Sequence, residues 1–120
     1  MLKNRILLAD DDLELGKILQ GALKAYGYDI QIVDDGEKAI SQLKQHQFDL
    51  AIVDIRMPKV DGFGVLKFIK EEKLAMKVIM LTAYADLMHA AKSMKNGADD
   101  FICKPFDLET LQNTIETLLK

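Results

Sequence analysis

Three consecutive acids, Asp10, Asp11 and Asp12, close the apolar run Arg5-Ile6-Leu7-Leu8-Ala9, and another, Asp54, closes Leu50-Ala51-Ile52-Val53. Runs of this length are too short for helices and read as buried strands, so their carboxylates emerge at strand ends. In an open parallel sheet that carboxyl edge is where ligands bind. Carboxylates converging there repel one another and are costly to ionise together unless a cation sits between them, so the pattern asks for a metal. Thr82 and Lys104 stand at or just beyond the ends of two more apolar runs, adding a hydroxyl and an amine to the acids. Hard carboxylates without His or Cys beside them suit Mg2+ or Mn2+, and Mg2+ favours sites shared with a phosphoryl group. An Asp carboxylate can be the nucleophile for a phosphoryl group, while a cation and a Lys ammonium neutralise charge on the transferring oxygens. Asp34, Asp35, Asp99 and Asp100 fit the plainer reading of solvated surface acids.

The elements that must position these groups alternate along the chain. Arg5 to Ala9 is a first strand, and Leu15, Ile18, Leu19, Ala22 and Leu23 recur at helical spacing until Tyr26-Gly27. Tyr28 to Val33 reads as strand two, Asp34-Asp35-Gly36 as a turn, and Ala39, Ile40 and Leu43 as helix two. Phe48 to Val53 is strand three; after the loop Met57 to Gly62, Phe63, Leu66 and Ile69 mark helix three. Lys77 to Leu81 is strand four, Leu87, Ala90, Ala91 and Met94 space helix four, and Gly97 closes it. Phe101-Ile102-Cys103 is a short fifth strand ending at Lys104-Pro105, and Asp107 caps a last helix that buries Leu108, Leu111, Ile115, Leu118 and Leu119. Strict alternation with near-continuously apolar strands predicts an α/β fold: a five-stranded, doubly wound parallel sheet with helices on both faces and right-handed crossovers.

With 120 residues, 49% of them hydrophobic, the chain has the size of one domain, 1-120, and can build a core without disulfides. A net charge of −3 with dispersed Lys and Arg gives no footprint for direct nucleic-acid binding or an anionic membrane. One cysteine, Cys103, cannot form an internal disulfide, and it reads as a buried core thiol in a cytoplasmic protein. Neither a secretory signal nor a membrane span is legible.

The motifs Ile6-Leu7-Leu8-Ala9-Asp10-Asp11-Asp12, Val53-Asp54-Ile55-Arg56-Met57-Pro58-Lys59-Val60-Asp61-Gly62, Met80-Leu81-Thr82-Ala83 and Lys104-Pro105-Phe106 together resemble the receiver domain of two-component response regulators. The resemblance spans essentially the whole chain, with the motifs in order at the strand ends. It implies strand order 2-1-3-4-5. It implies that Asp54 accepts a phosphoryl group from a phosphohistidine on a sensor histidine kinase or histidine phosphotransfer protein. Mg2+ would be held by Asp11, by Asp10 through water, by Asp54 and by the backbone carbonyl of Arg56. Thr82 would hydrogen-bond a phosphoryl oxygen and Lys104 would pair with it, and the Lys104-Pro105 peptide would be cis. Such a domain is regulatory rather than an enzyme, promoting phosphorylation and dephosphorylation of its own aspartate. The switch would draw Thr82 towards Asp54 and move the aromatic Phe101 into the vacated space, biasing the surface of helix four, strand five and helix five towards an effector domain or a second copy of the chain. Relatives often carry Tyr at that position, so a phenolic contact is unavailable here. Arg56 and Tyr84 fall where the family flanks the path of the hydrolytic water, and they imply a long phosphoryl lifetime.

Other features take plainer readings. Gly62-Phe63-Gly64 lacks the rest of a dinucleotide fingerprint, and Gly62 reads as easing a helix start. His46 and His89 lie in helical segments without ligands at metal spacing and read as surface or satisfied side chains. Met88 and Met94 read as helix packing, with Met88 also placed to face a partner. A haloacid-type phosphatase wants a second acid two residues after the nucleophile, where this chain has Arg56. A flavodoxin-like cofactor binder wants a phosphate loop where this chain has Asp10-Asp11-Asp12. The remaining alternative is an unphosphorylated, receiver-like interaction module. The chain ends where a receiver's fifth helix ends, so it is either a whole single-domain regulator or a piece of a longer protein.

Overall fold

The computed structural model describes residues 4–83 and 86–120. Five strands, β1 (Arg5–Ala9), β2 (Asp29–Val33), β3 (Leu50–Asp54), β4 (Lys77–Ala83) and β5 (Asp100–Lys104), alternate with α1 (Leu13–Lys24), α2 (Gly36–Gln45), α3 (Gly62–Glu71), α4 (Leu87–Lys95) and α5 (Leu108–Leu119). The strands form one parallel sheet in the order β2-β1-β3-β4-β5, as the sequence reading expects.

Successive strand residues point to opposite faces, so each strand feeds two cores. Leu7, Ala51, Val53 and Met80 join Ala39 and Leu43 of α2 and Val65, Leu66 and Ile69 of α3 on one face. Ile6, Leu8, Ile52 and Leu81 join Leu19 and Leu23 of α1 and Leu111 and Ile115 of α5 on the other. Both faces of β1 and β3 are therefore covered, which is why these strands carry almost no polar residue before their ends.

Each helix starts on an aspartate whose carboxylate accepts a backbone N–H of the first turn: Asp12 from Leu15, Asp35 from Lys38, Asp61 from Gly64, Asp86 from His89 and Asp107 from Thr110. Gly27 and Gly97 follow α1 and α4 at φ 90° and 97°, the left-handed conformation that ends a helix most easily at glycine.

Several expectations need correction. Asp35, Asp99 and Asp100 are not idle surface acids: Asp35 is buried as the α2 cap, Asp99 accepts Val78 N–H at 2.8 Å, and Asp100 accepts its neighbour Phe101 N–H at 2.8 Å. Asp34 does stay partly exposed, paired with Lys38 at 2.8 Å. Helix α4 does not bury the large apolar residues of its expected stripe. It buries Ala90 and Ser93, whereas Leu87, Met88 and Met94 are 72%, 84% and 43% exposed. Small side chains bring this helix close to the sheet, and the Ser93 hydroxyl is satisfied on the His89 carbonyl at 2.8 Å, so its burial leaves no unpaired group. Ile18 likewise faces out of α1, 61% exposed, and Cys103 is half-buried rather than a core thiol.

Candidate functional site

Parallel register brings the strand-end groups together. Ala9 pairs with Val53, so Asp10 and Asp54 stand side by side, one residue further along each strand. Asp54 pairs with Leu81, Thr82 with Cys103 and Ala83 with Lys104, so the hydroxyl and the amine arrive at the same edge. Asp54 is the last residue of β3 rather than the first beyond it, and its backbone is thereby fixed by the sheet.

The Lys104 ammonium donates to Asp10 Oδ2 at 2.8 Å and to Asp54 Oδ2 at 2.7 Å. The other oxygen of each acid is held by the chain just beyond it: Asp10 Oδ1 accepts Asp12 N–H at 2.9 Å and Asp54 Oδ1 accepts Arg56 N–H at 3.0 Å. Burial pushes the Asp10 carboxyl above its ordinary 3.8 and the Asp54 charge adds to this, against the hydrogen bonds from Lys104 and Asp12 N–H. Burial works against the charge on Lys104, but the two carboxylates outweigh it and hold the ammonium above its ordinary 10.5. The three groups therefore consist of a protonated lysine between two carboxylates that repel each other.

Asp10, Asp11 and Asp54 each offer a carboxylate oxygen, all within 4.8 Å of one another. Asp10 is buried and Asp11 exposed, which gives one donor anchored in the protein and one open to water. Three hard oxygen donors with no nitrogen or sulfur among them fit Mg2+ or Mn2+. Beside them Thr82 Oγ1 is buried with no hydrogen-bond partner among the described residues. A buried hydroxyl without a partner costs free energy, and a donor in this position could recover it by bonding an oxygen held in the site.

Asp11, Asp54, Arg56, Thr82 and Lys104 line one cavity of about 240 Å3. All the described residues singled out as chemical in the sequence thus converge except Phe101. That side chain packs half-buried against the core that contains Met80 and sits in register with it, on the same sheet face as Thr82. Tyr84 lies outside the described residues. The Lys104-Pro105 peptide is cis.

The structure adds residues that the sequence does not reveal. His89 lines the same cavity, its imidazole paired through Nδ1 with Asp86. The Asp86-x-x-His89 spacing in the first turn after β4 is the signal that would find it, since a helix there starts above the strand ends. Gly62 does more than ease a helix start. A Cβ at this position would run into the Asp54 carbonyl and come within 2.7 Å of Ile55 Cα, so only glycine lets α3 begin against the end of β3.

Residues 6–116 match the family model described as "Response regulator receiver domain". The chain is 39% identical over 114 residues to the transcriptional regulatory protein ZraR of Escherichia coli (strain K12), covering 95% of this chain and 26% of that protein. It is 38% identical over 120 residues to the probable transcriptional regulator ycf27 of Porphyridium aerugineum, covering 100% of this chain and 50% of that one. The chain thus spans between a quarter and a half of these curated relatives. The receiver domain of the Francisella response regulator 1452 superposes with TM-score 0.92 at 26% identity over 98% of this chain and 97% of its own. The chemotaxis response regulator CheY4 of Vibrio cholerae does so with TM-score 0.91 at 26% identity over 98% of this chain and 100% of its own. The chain belongs to the response regulator receiver domains of two-component systems.

Proposed function

We propose that Asp54 is the phospho-acceptor of this chain, taking its phosphoryl group from a phosphohistidine on a sensor histidine kinase or a histidine phosphotransfer protein. The observation that carries this is the pairing of Asp54 with the Lys104 ammonium beside a buried, unpartnered Thr82 hydroxyl. An Asp54 oxygen attacks phosphorus, the P–N bond breaks, and the departing imidazole takes up a proton. Lys104 neutralises the charge gathering on the phosphoryl oxygens, and Thr82 donates to one of them. Asp10, Asp11, Asp54 and the Arg56 carbonyl would hold Mg2+, which supplies further charge neutralisation at the phosphoryl oxygens. Hydrolysis of the aspartyl phosphate resets the domain, with Arg56 and Tyr84 restricting the water that performs it.

Thr82 and Phe101 share a sheet face, which supports a switch in which engagement of Thr82 frees room for Phe101 and alters the α4–β5–α5 surface. The exposed Leu87, Met88 and Met94 give that surface an apolar character suited to an effector domain or a second phosphorylated copy. This reading makes residues 1-120 one regulatory domain working in the cytoplasm and leaves output to other parts or partners. It is tested by incubation with Mg2+ and acetyl phosphate: one base-labile phosphoryl group should appear and be absent in Asp54→Asn. A wild-type chain that takes up none favours the unphosphorylated interaction module, and label on Asp11 or Asp61 places the acceptor elsewhere.

A further inference from the structure

The cavity in front of Asp54 has one wall that the phospho-acceptor reading does not use. His89 lines it together with Asp54, Thr82 and Lys104, and also lines the adjoining groove beside Asp11, Arg56 and Asp61. Its ring is not a free surface side chain. Nδ1 is paired with one oxygen of Asp86, whose other oxygen accepts the His89 backbone N–H at 3.2 Å, and the ring meets Phe63 edge-on at 5.6 Å between centroids. Lys92 Nζ in turn lies 4.2 Å from the centroid of the Phe63 ring. An aspartate on Nδ1 fixes the tautomer that leaves the Nε2 lone pair unprotonated, and it stabilises the imidazolium that forms when Nε2 takes a proton.

Among the described groups of this cavity none other suits a base. Asp11 and Asp54 are committed to cation and phosphoryl group, Lys104 and Arg56 carry protons they do not give up, and Thr82 is a hydroxyl. We propose that the Asp86–His89 pair is the general base for hydrolysis of the aspartyl phosphate at Asp54, so that this receiver carries its own accelerator of dephosphorylation. The inference rests on Asp54 being the acceptor. Water attacks phosphorus while one of its protons passes to Nε2 of His89; the bond between phosphorus and the Asp54 oxygen breaks, and free carboxylate and orthophosphate result. Among the described residues, the charged groups beside the ring are Asp86, which caps its helix, and those that share this cavity and groove with it: Lys92 from that helix, Asp11 from the β1–α1 segment, Arg56 and Asp61 from the β3–α3 segment, and Asp54 and Lys104 from the strand ends. This mixture of signs includes no second imidazole.

The test follows loss of the phosphoryl group from chain phosphorylated with acetyl phosphate in Mg2+, across about pH 5.5 to 8.5, where an imidazole changes charge. The wild-type rate should rise with pH and level off. His89→Gln should be slower by about tenfold or more on the alkaline side and flat with pH. Asp86→Asn retains a helix-capping side chain but loses one of the two oxygens, and it should slow the reaction in the same direction with unchanged thermal unfolding. A His89→Gln variant that keeps the wild-type slope, or loses its phosphoryl group as fast or faster, overturns the inference while leaving Asp54 as acceptor. A wild-type chain that takes up no phosphoryl group removes both.

Discussion

Lys104 and Asp54 lie 50 positions apart in the chain, yet the lysine ammonium sits 2.7 Å from the aspartate oxygen, in a pair with the lysine side chain 28% and the aspartate side chain 12% exposed. Neither residue alone marks a site; the parallel register of β3, β4 and β5 makes the contact. Because two carboxylates hold this ammonium above its ordinary 10.5, against the pull of burial, its contribution to stability is complete below that pH and is lost as pH rises through the higher folded value. Lys104→Met should therefore be less stable than wild type by about 1–3 kcal/mol in metal-free neutral buffer, since Asp10 and Asp54 are left without their cation. The gap should close as pH rises past the folded lysine value. Denaturant unfolding of both proteins against pH measures this, and a gap that stays constant to strong alkali would show that the ion pair contributes nothing.

Thr82 offers the opposite balance, a group that costs stability in the resting protein. Its Oγ1 is buried without a partner among the described residues. Thr82→Val keeps the shape and the β-branch while removing the hydroxyl, so it should stabilise the unphosphorylated chain by about 0.5–2 kcal/mol. Phosphorylation at Asp54 should then shift the unfolding midpoint less than it does in wild type, because the phosphoryl oxygen finds no donor there. Destabilisation of the resting variant would mean that the hydroxyl is already satisfied.

How far this site could be read from the sequence depends on the kind of interaction. Asp10, Asp11 and Asp54 are legible because each ends an apolar run, and a buried strand can present a charge only at its end. Lys104 is legible as an amine at a strand end, but which acids it pairs with shows only once the register places it beside them. The role of Asp99 depends on Val78, 21 residues away, and no local pattern shows it. Helix α4 misleads because its large apolar residues suggest a buried stripe, whereas close packing is achieved by Ala90 and Ser93. His89 has no ligand at metal spacing and reads as unremarkable until the start of α4 is seen to lie over the strand ends.

Asp11 is the exposed member of the carboxylate group, its oxygen within 4.8 Å of oxygens from Asp10 and Asp54. A cation there relieves a repulsion that exists only when the strands are assembled, so Mg2+ should raise the melting temperature of wild type. Asp11→Asn should abolish that response and, by removing one of the crowded charges, raise the metal-free melting temperature by about 2 °C. Calorimetry with and without Mg2+ provides the comparison. A variant that still responds to Mg2+ as wild type does would put the cation at other residues.

Gly62 links the fold to Asp54 most directly, because Gly62 N–H donates to the Ile55 carbonyl at 2.8 Å while its Cα faces the Asp54 carbonyl. The atoms that an added methyl would meet are backbone atoms of a strand buried on both faces, and these cannot rotate away as a side chain would. Gly62→Ala must therefore push α3 off β3 or displace the β3 end itself. Either movement should cost about 2–4 kcal/mol of stability, the range of severe overpacking. The two differ in their effect on chemistry. If α3 yields, the Lys104–Asp54 contact survives and acetyl phosphate should still label Asp54 in the folded fraction. If β3 yields, labelling should fall further than the loss of folded protein explains. Gly64→Ala is the control, since its added methyl would meet chiefly the Val60 side chain, which can adjust, and it should be milder in both respects. Equal stability of Gly62→Ala and wild type, measured by denaturant unfolding, would show that the close approach of helix and strand is not what requires glycine here.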